Sequence, residues 1–210
     1  MTVHASTERQ TDVLSIVQTA QGAVRGLWDH EVAVFRGIPY AEPPVGTLRF
    51  RPPVRRGRWE GVRDATRFGQ IAPQTDESPL DAKSLPKGVP QGDDCLNLNV
   101  WTPTLENASL PVLFWIHGGS FMWGSGSVPG YDGSRFARNG VVVVTINYRL
   151  NAAGFLYVDG RPGAGCFGLL DQIAEGLDDL DQNARVSAGH GGPPFFFVVT
   201  ALLLRGSVGQ

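Results

Sequence analysis

The sequence predicts an α/β fold, a doubly wound sheet with its first strands preceded by an antiparallel hairpin, and three observations carry that expectation. Leu96 to Trp101, Val112 to Ile116 and Val141 to Ile146 are runs apolar on both faces, the pattern of strands covered on both sides. Helical signals alternate with them: Ser134 to Arg138 fits a short helix stopped at Asn139-Gly140. Leu170, Ile173, Ala174 and Leu177 fall at i, i+3, i+4 and i+7, one face of an amphipathic helix. Strands alternating with helices make a layered sheet the economical architecture.

Taken in order, residues 1–12 are polar and read as a flexible N-terminus. Val13 to Gln18 and Glu31 to Phe35 are short β-type runs separated by Gly22, Gly26 and a polar Asp29-His30 tip, which predicts a hairpin or small meander. From Gly37 to Pro53 the Pro and Gly density forbids long regular elements. Gln74 to Gly92 is polar and Pro-punctuated and reads as the mobile excursion of the first half. After Ala174 the character changes. Gly176, the acids Asp178, Asp179 and Asp181, and Gly189 to Pro194 show no period, and Phe195 to Leu204 is an apolar block that reads as an aggregation liability rather than a designed edge. The domain therefore spans residues 13–174, with 175–210 as an unrelated tail.

Composition bounds the function. With 210 residues, 42% hydrophobic and 18% charged, the chain can bury one sizeable core. A net charge of −2 supplies no electrostatic footprint for nucleic acid or an acidic membrane. Ten apolar helical residues at 195–204 would cover about 15 Å of a core about 30 Å thick, so this run cannot span a bilayer. Cys95 and Cys166 are too few for a disulfide framework or a metal cage. His4, His30 and His190 lack ligand spacing, so neither metal nor cofactor is expected. Residues 1–11 lack the apolar core of a signal peptide, which points to the cytoplasm and leaves the glycosylation-like Asn107-Ala108-Ser109 without meaning.

The chemistry is concentrated at Trp115-Ile116-His117-Gly118-Gly119-Ser120-Phe121. Two adjacent glycines after a hydrophobic strand can aim bare backbone amides at one point, and paired donors of this kind suit a developing oxyanion. A nucleophile elbow of the form G-x-S-x-G occurs nowhere in the 210 residues.

Together with that strand end, Phe35-Arg36-Gly37-Ile38-Pro39-Tyr40-Ala41, Leu48-Arg49-Phe50, Asp93 to Val100 and Asn147-Tyr148-Arg149-Leu150 closely resemble the type-B carboxylesterase family, in order and spacing, from about Leu14 to Ala174. The resemblance implies part of an α/β-hydrolase fold, with the first strands of its mainly parallel central sheet, and hydrolysis of small carboxylic esters by a serine triad. It implies that Gly118 and Gly119 supply the oxyanion donors and that His117 shapes their loop. It further implies structural ion pairs between Arg49 and Asp93 and between Arg149 and Asp171. Ala72 stands where secreted relatives often carry the cysteine that would pair with Cys95, which favours an intracellular type. The nucleophile, acid and base have no counterpart here, so the expectation is a chain truncated before its nucleophile and inactive alone, with a frame shift near codon 175 accounting for the tail.

Rival readings are weaker on steric grounds. Ser187 and Ser207 have Arg185 and Arg205 where an elbow needs glycine, and Ser120, Ser125 and Ser127 read as loop hydroxyls. Gly163 to Gly168 satisfies G-x-G-x-x-G as a nucleotide-binding alternative, but Arg161-Pro162 separates it from any strand. In Ser84-Leu85-Pro86-Lys87 the proline opposes the helix that S-x-x-K requires. A non-catalytic binding module on the same fold is the alternative from another functional class.

Overall fold

The computed structural model describes residues 13–75, 85, 87–106, 110–160 and 164–174, and the backbone of 196–200. Short runs rich in Val, Ile, Phe and Trp pair into one mixed sheet, because a pleated ladder satisfies their amides while burying both faces. The strands are β1 Val13–Gln18, β2 Ala23–Asp29, β3 Val32–Pro39, β4 Val62–Asp64, β5 Asn97–Thr102, β6 Val112–Ile116, β7 Val142–Ile146 and β8 Phe196–Thr200. Their order is β1-β2-β3-β5-β7-β6-β8, with β4 against β2. β1 to β3 form the expected meander, although Gly26 lies inside β2, opposite Ser15, rather than in a break. β3, β5 and β7 continue antiparallel, with an irregularity between Phe35 and Ile38. Parallel pairing enters at β7-β6-β8 and where β4 joins β2.

The β6-to-β7 crossover carries α1, Ser134–Ala137, followed by Gly140 at φ 83°, as the helix stop signal requires. α2, Asn151–Phe155, follows β7, and residues 164–174 end in a helix, α3, over 167–174. The apolar block expected to be a liability behaves otherwise in its described part. Phe196–Thr200 pairs in parallel with β6 from Val112↔Phe196 to Ile116↔Thr200, because a β-prone run meets the open row of amides and carbonyls on that strand. The remainder of the tail lies outside the described residues, as does most of the excursion between Gln74 and Gly92.

Alternation along the strands divides the core between two faces. On one, Leu98, Phe114, Ile116, Ile146 and Leu150 pack with Tyr148, Leu96, Cys95 and Ala72. On the other, Val32, Val34, Trp101 and Val143 pack under Ala137 of α1. Full burial of a side chain such as Ile146 or Leu96 contributes roughly 1.5–3 kcal/mol each, so these clusters outweigh local preferences.

One such override reverses an expectation. The periodicity assigned Leu170, Ile173 and Ala174 to the buried face of α3, yet Ile173 is 50% exposed while Phe167, Gly168 and Asp171 are buried. Arg149 causes the turn: its guanidinium and backbone bind Asp171, and a buried, hydrogen-bonded pair fixes the helix rotation more strictly than one apolar stripe can.

The β2–β3 turn holds a removable strain. Asp29 pairs with Val32 across His30 at φ 43° and Glu31 at φ 69°, a two-residue turn in the left-handed region. A left-handed L-residue costs roughly 1–2 kcal/mol, partly offset on substitution by the greater entropy glycine loses. Glu31→Gly therefore stabilises the chain by about 0.5–1 kcal/mol, read as a higher urea midpoint at unchanged slope.

Candidate functional site

β6 delivers the chain at Ile116 to the carboxyl end of the parallel part of the sheet, and His117 to Gly124 turn there as a tight loop. Gly119 has φ 122°, a conformation L-side chains rarely adopt, and a Cβ at this position would run into the Trp123 carbonyl. The Gly119 carbonyl accepts the Met122 and Trp123 amides, both at 3.0 Å, while Ser120 and Phe121 sit at φ 54° and 62°. Among the described turns and loops, neither the Gly118 nor the Gly119 amide donates a hydrogen bond. Two successive donors are thus left open beside a strand end, an arrangement suited to holding an oxygen that carries negative charge.

His117 forms the floor of this loop. Its ring is buried, stacks on Tyr148 at a centroid distance of 4.5 Å, and donates from Nδ1 to the Gly118 carbonyl at 2.8 Å. Tyr148 Oη donates to the His117 carbonyl at 3.0 Å. A Cβ at Gly124, itself at φ 113°, would strike the imidazole. Burial lowers the His117 pKa to about 4, the hydrogen bond to Gly118 opposing only part of that shift, so the ring is neutral near pH 7. A neutral ring bonded to its own loop suits the shape-setting part expected of His117.

Two side chains fasten the far side of the loop. Gln74 accepts the Gly124 amide at 2.8 Å and donates to the Gly124 and Ala72 carbonyls at 2.9 and 3.0 Å. Asn151, at φ 52°, donates from its side chain to the Met122 carbonyl at 2.9 Å and from its amide to the Phe121 carbonyl at 2.9 Å. Below, the chain from Gly124 to Ser127 is tied to the sheet. The Gly126 amide donates to Asn147 Oδ1, and the Gly126 carbonyl accepts from Thr145 Oγ1 at 2.8 Å and from Asn99. Asn147 in turn donates to Asn97.

Of the two expected ion pairs, the structure brings Arg149 and Asp171 together. Arg149 donates from N and Nε to one carboxylate oxygen at 3.0 and 2.8 Å, and from Nη2 to the other at 2.6 Å. Its Nη1 also reaches the Arg51 carbonyl at 2.8 Å, which joins α3 and the residue 51 loop to the end of β7. Burial pushes the Asp171 pKa up, while Arg149 opposes that shift. Arg49 and Asp93 do not meet: among the described residues they form no ion pair, and Arg49 lies over the Phe50 ring at 5.1 Å. Arg56 takes the neighbouring role, holding Glu42 at 3.0 Å and approaching Asp94 at 3.9 Å.

The remaining candidates acquire plain settings. Ser125 and Ser127 are buried and hydrogen-bonded to each other at 2.5 Å, and Ser120 belongs to the turn. Ser84, Gly163, Ser187 and Ser207 lie outside the described residues. Among the described residues ahead of that motif, 156–160 form loop and turn rather than the strand a dinucleotide fold places there. Cys95 is buried and unpaired with its pKa raised to about 12 by desolvation, and Cys166 is exposed. Among the described residues, no group of His, Cys, Asp or Glu could hold a metal ion. The parts played by Gln74, Asn151, Asn97 and Asn99 are not marked by any motif; for Asn97 and Asn99 the available signal is asparagine at alternate positions of an otherwise apolar strand, which marks polar groups kept inside for a purpose.

A family model described as "Carboxylesterase family" matches residues 14–178. The para-nitrobenzyl esterase of Bacillus subtilis is 47% identical over 163 residues, 76% of this chain and 33% of that protein. The phenmedipham hydrolase of Pseudarthrobacter oxydans is 48% identical over 147 residues, 67% of this chain and 29% of that protein. The crystal structure of the Geobacillus stearothermophilus carboxylesterase EST55 at pH 6.2 superposes with a TM-score of 0.73 at 41% identity, covering 88% of this chain and 37% of that one. The chain thus spans about a third of the length of the curated relatives it matches.

Two measurements test this loop. His117 binds its proton less readily folded than unfolded, so its contribution is complete above pH 6.5 and lost as pH falls toward 4, on the order of 3 kcal/mol in total. Urea melts between pH 6.5 and 5 show a falling stability whose slope flattens in His117→Gln. Gln74→Ala leaves both Gly124 groups without their partner and costs about 1–2 kcal/mol. In that variant the Gly124 amide exchanges hydrogen faster than in the parent chain, beyond the change seen in β5.

Proposed function

The chain belongs to the carboxylesterase family, and on that premise we propose that it carries the oxyanion-binding half of a carboxylic ester hydrolase acting on small-molecule esters. The observation that supports this is the pair of open amides at Gly118 and Gly119, held at the carboxyl end of β6 by a loop that Gln74 fastens at Gly124 and Asn151 fastens at Phe121 and Met122. In such a reaction a nucleophile adds to the ester carbonyl, and the oxygen gains charge that two preorganised amides stabilise without reorienting. His117 sets their direction through the Gly118 carbonyl and stays neutral, so no proton passes through it.

A polypeptide of these 210 residues does not complete the cycle. No described serine hydroxyl bonds to a histidine or a carboxylate, and Ser187 and Ser207 lack the glycine that an elbow needs. The residual acceleration available to an oxyanion site without a nucleophile is small beside that of a full triad. We assign the cytoplasm as its compartment, since a buried unpaired Cys95 suits reducing surroundings. Among the described residues, no helix is long and apolar enough to cross a membrane.

The purified 210-residue chain is expected to hydrolyse p-nitrophenyl acetate at the buffer rate and to resist labelling by a fluorophosphonate. Grafted in place of the matching segment of the Bacillus para-nitrobenzyl esterase, residues 14–174 support turnover, and Gly119→Ala in that graft lowers kcat by about 10²- to 10³-fold. Turnover by the chain itself refutes the division of labour; an inactive graft whose fold is intact refutes the ester reading.

A further inference from the structure

α3 carries apolar groups on both of its sides. Phe167 and Gly168 face inward with Asp171, whose bonds to Arg149 fix the rotation of the helix, and the same rotation leaves Leu169 and Ile173 outward, 40% and 50% exposed. The outer face of a surface helix is ordinarily polar, whereas a helix apolar all round belongs inside a larger body. Four more large side chains extend this surface: Leu156 and Tyr157 after α2, and Phe121 and Met122 on the glycine loop, all exposed.

Contacts among these segments make them one patch. The Phe155 ring lies 4.7 Å from that of Phe121 and closes against α3, where a Cβ at Gly168 would strike it. The Gly165 amide donates to the Leu156 carbonyl at 3.2 Å, and Asn151 at the start of α2 holds the Phe121 and Met122 carbonyls. The patch therefore runs from the loop of Gly118 and Gly119, across the end of α2, to α3. Apolar side chains scattered singly over a surface need no partner, but a continuous set of this size marks a place of interaction. The lengths of the relatives point to the occupant. This chain spans about a third of the curated relatives it matches, and 88% of it superposes on only 37% of the Geobacillus carboxylesterase. The larger part of such a protein thus packs outside the fold described for this chain. A second copy would duplicate the glycine loop and bring no elbow serine to it.

We propose that Phe121, Met122, Leu156, Tyr157, Leu169 and Ile173 form the seam on which the remainder of a carboxylesterase, supplied as a separate polypeptide, docks. The inference rests on the ester-hydrolase reading above. Docking covers the outer face of α3 and brings the partner's serine to the rim where the Gly118 and Gly119 amides stand open, so that this chain works as one part of a two-part hydrolase.

The test co-expresses the full 210-residue chain, tagged, with the part of the Bacillus para-nitrobenzyl esterase that lies outside the matched segment. The tagged chain is expected to retain that polypeptide through affinity purification, and the complex to take up a fluorophosphonate that neither part takes up alone. Leu169→Gln with Ile173→Gln, exposed helical positions at which glutamine is well tolerated, lowers retention by about tenfold or more, as the loss of two aliphatic side chains from a buried seam implies. Leu14→Gln with Ile16→Gln, also exposed but on β1 at the edge of the sheet, leaves retention unchanged. Absence of retention by the folded chain, undiminished retention in the α3 variant, or equal losses in the two double variants each overturns the proposal. So does a dimer of this chain, or its binding to phosphatidylcholine vesicles, that the α3 variant abolishes while the esterase portion is not retained. Retention without labelling upholds the docking surface and counts against the oxyanion role of Gly118 and Gly119, so the two readings fail separately.

Discussion

Keeping two neighbouring amides unbonded inside a folded chain is the constraint on which the rest of this molecule turns. An unmet backbone donor is costly, and the simplest response of a loop is to rotate its peptide planes until every amide finds a carbonyl. Here rotation is blocked. The Gly119 carbonyl is already engaged by Met122 and Trp123, the Gly118 carbonyl by the His117 ring, and the His117 carbonyl by Tyr148. With the carbonyls pinned, the planes are pinned, and the amides face outward because no alternative remains. Left-handed backbone at Ser120 and Phe121 adds cost of order 1–3 kcal/mol each, sustained by the bonds that Asn151 makes to this turn.

The sheet supplies the reference frame for that loop. β6 is an interior strand, held in parallel by β7 on one side and β8 on the other, so its carboxyl end is fixed from both directions. Antiparallel β5 then brings Asn97 and Asn99 beside Thr145 and Asn147; Asn99, Thr145 and Asn147 grip Gly126, and Asn97 holds Asn147 in place. Buried amides of this kind trade little net stability for a single allowed geometry. The N-terminal meander contributes at a distance: Tyr40, at the end of β3, donates to the Asn147 carbonyl at 2.8 Å and joins the outer strands to the same network.

Much of this was legible beforehand, for identifiable reasons. Strands β5, β6 and β7 announced themselves because both faces are buried, and the His-Gly-Gly turn because only glycine tolerates φ 122° beside the Trp123 carbonyl. The rotation of α3 was misread, since periodicity counts apolar residues and is blind to Asp171, whose partner lies 22 residues earlier. The Arg49–Asp93 pairing failed for a related reason: a linear motif does not reveal that Phe50 receives the guanidinium and that Arg56 approaches the neighbouring carboxylate. Gln74 and Asn151 could not be found from spacing, because their partners at 122 and 124 become neighbours only after the loop has closed. β8 was underestimated because an apolar block reads as a hazard until a complementary strand is in view.

The neutrality of the groups that build the loop reaches beyond proton transfer. His117, Tyr148, Gln74 and Asn151 carry no formal charge at ordinary pH, so the hold on an oxyanion that we propose for this turn comes from fixed dipoles at contact distance. Dissolved electrolyte screens separated ions over a length of about 8–10 Å but has little purchase on bond dipoles shielded by packed side chains. Brine and fresh water should present this turn with nearly the same affinity for negative oxygen.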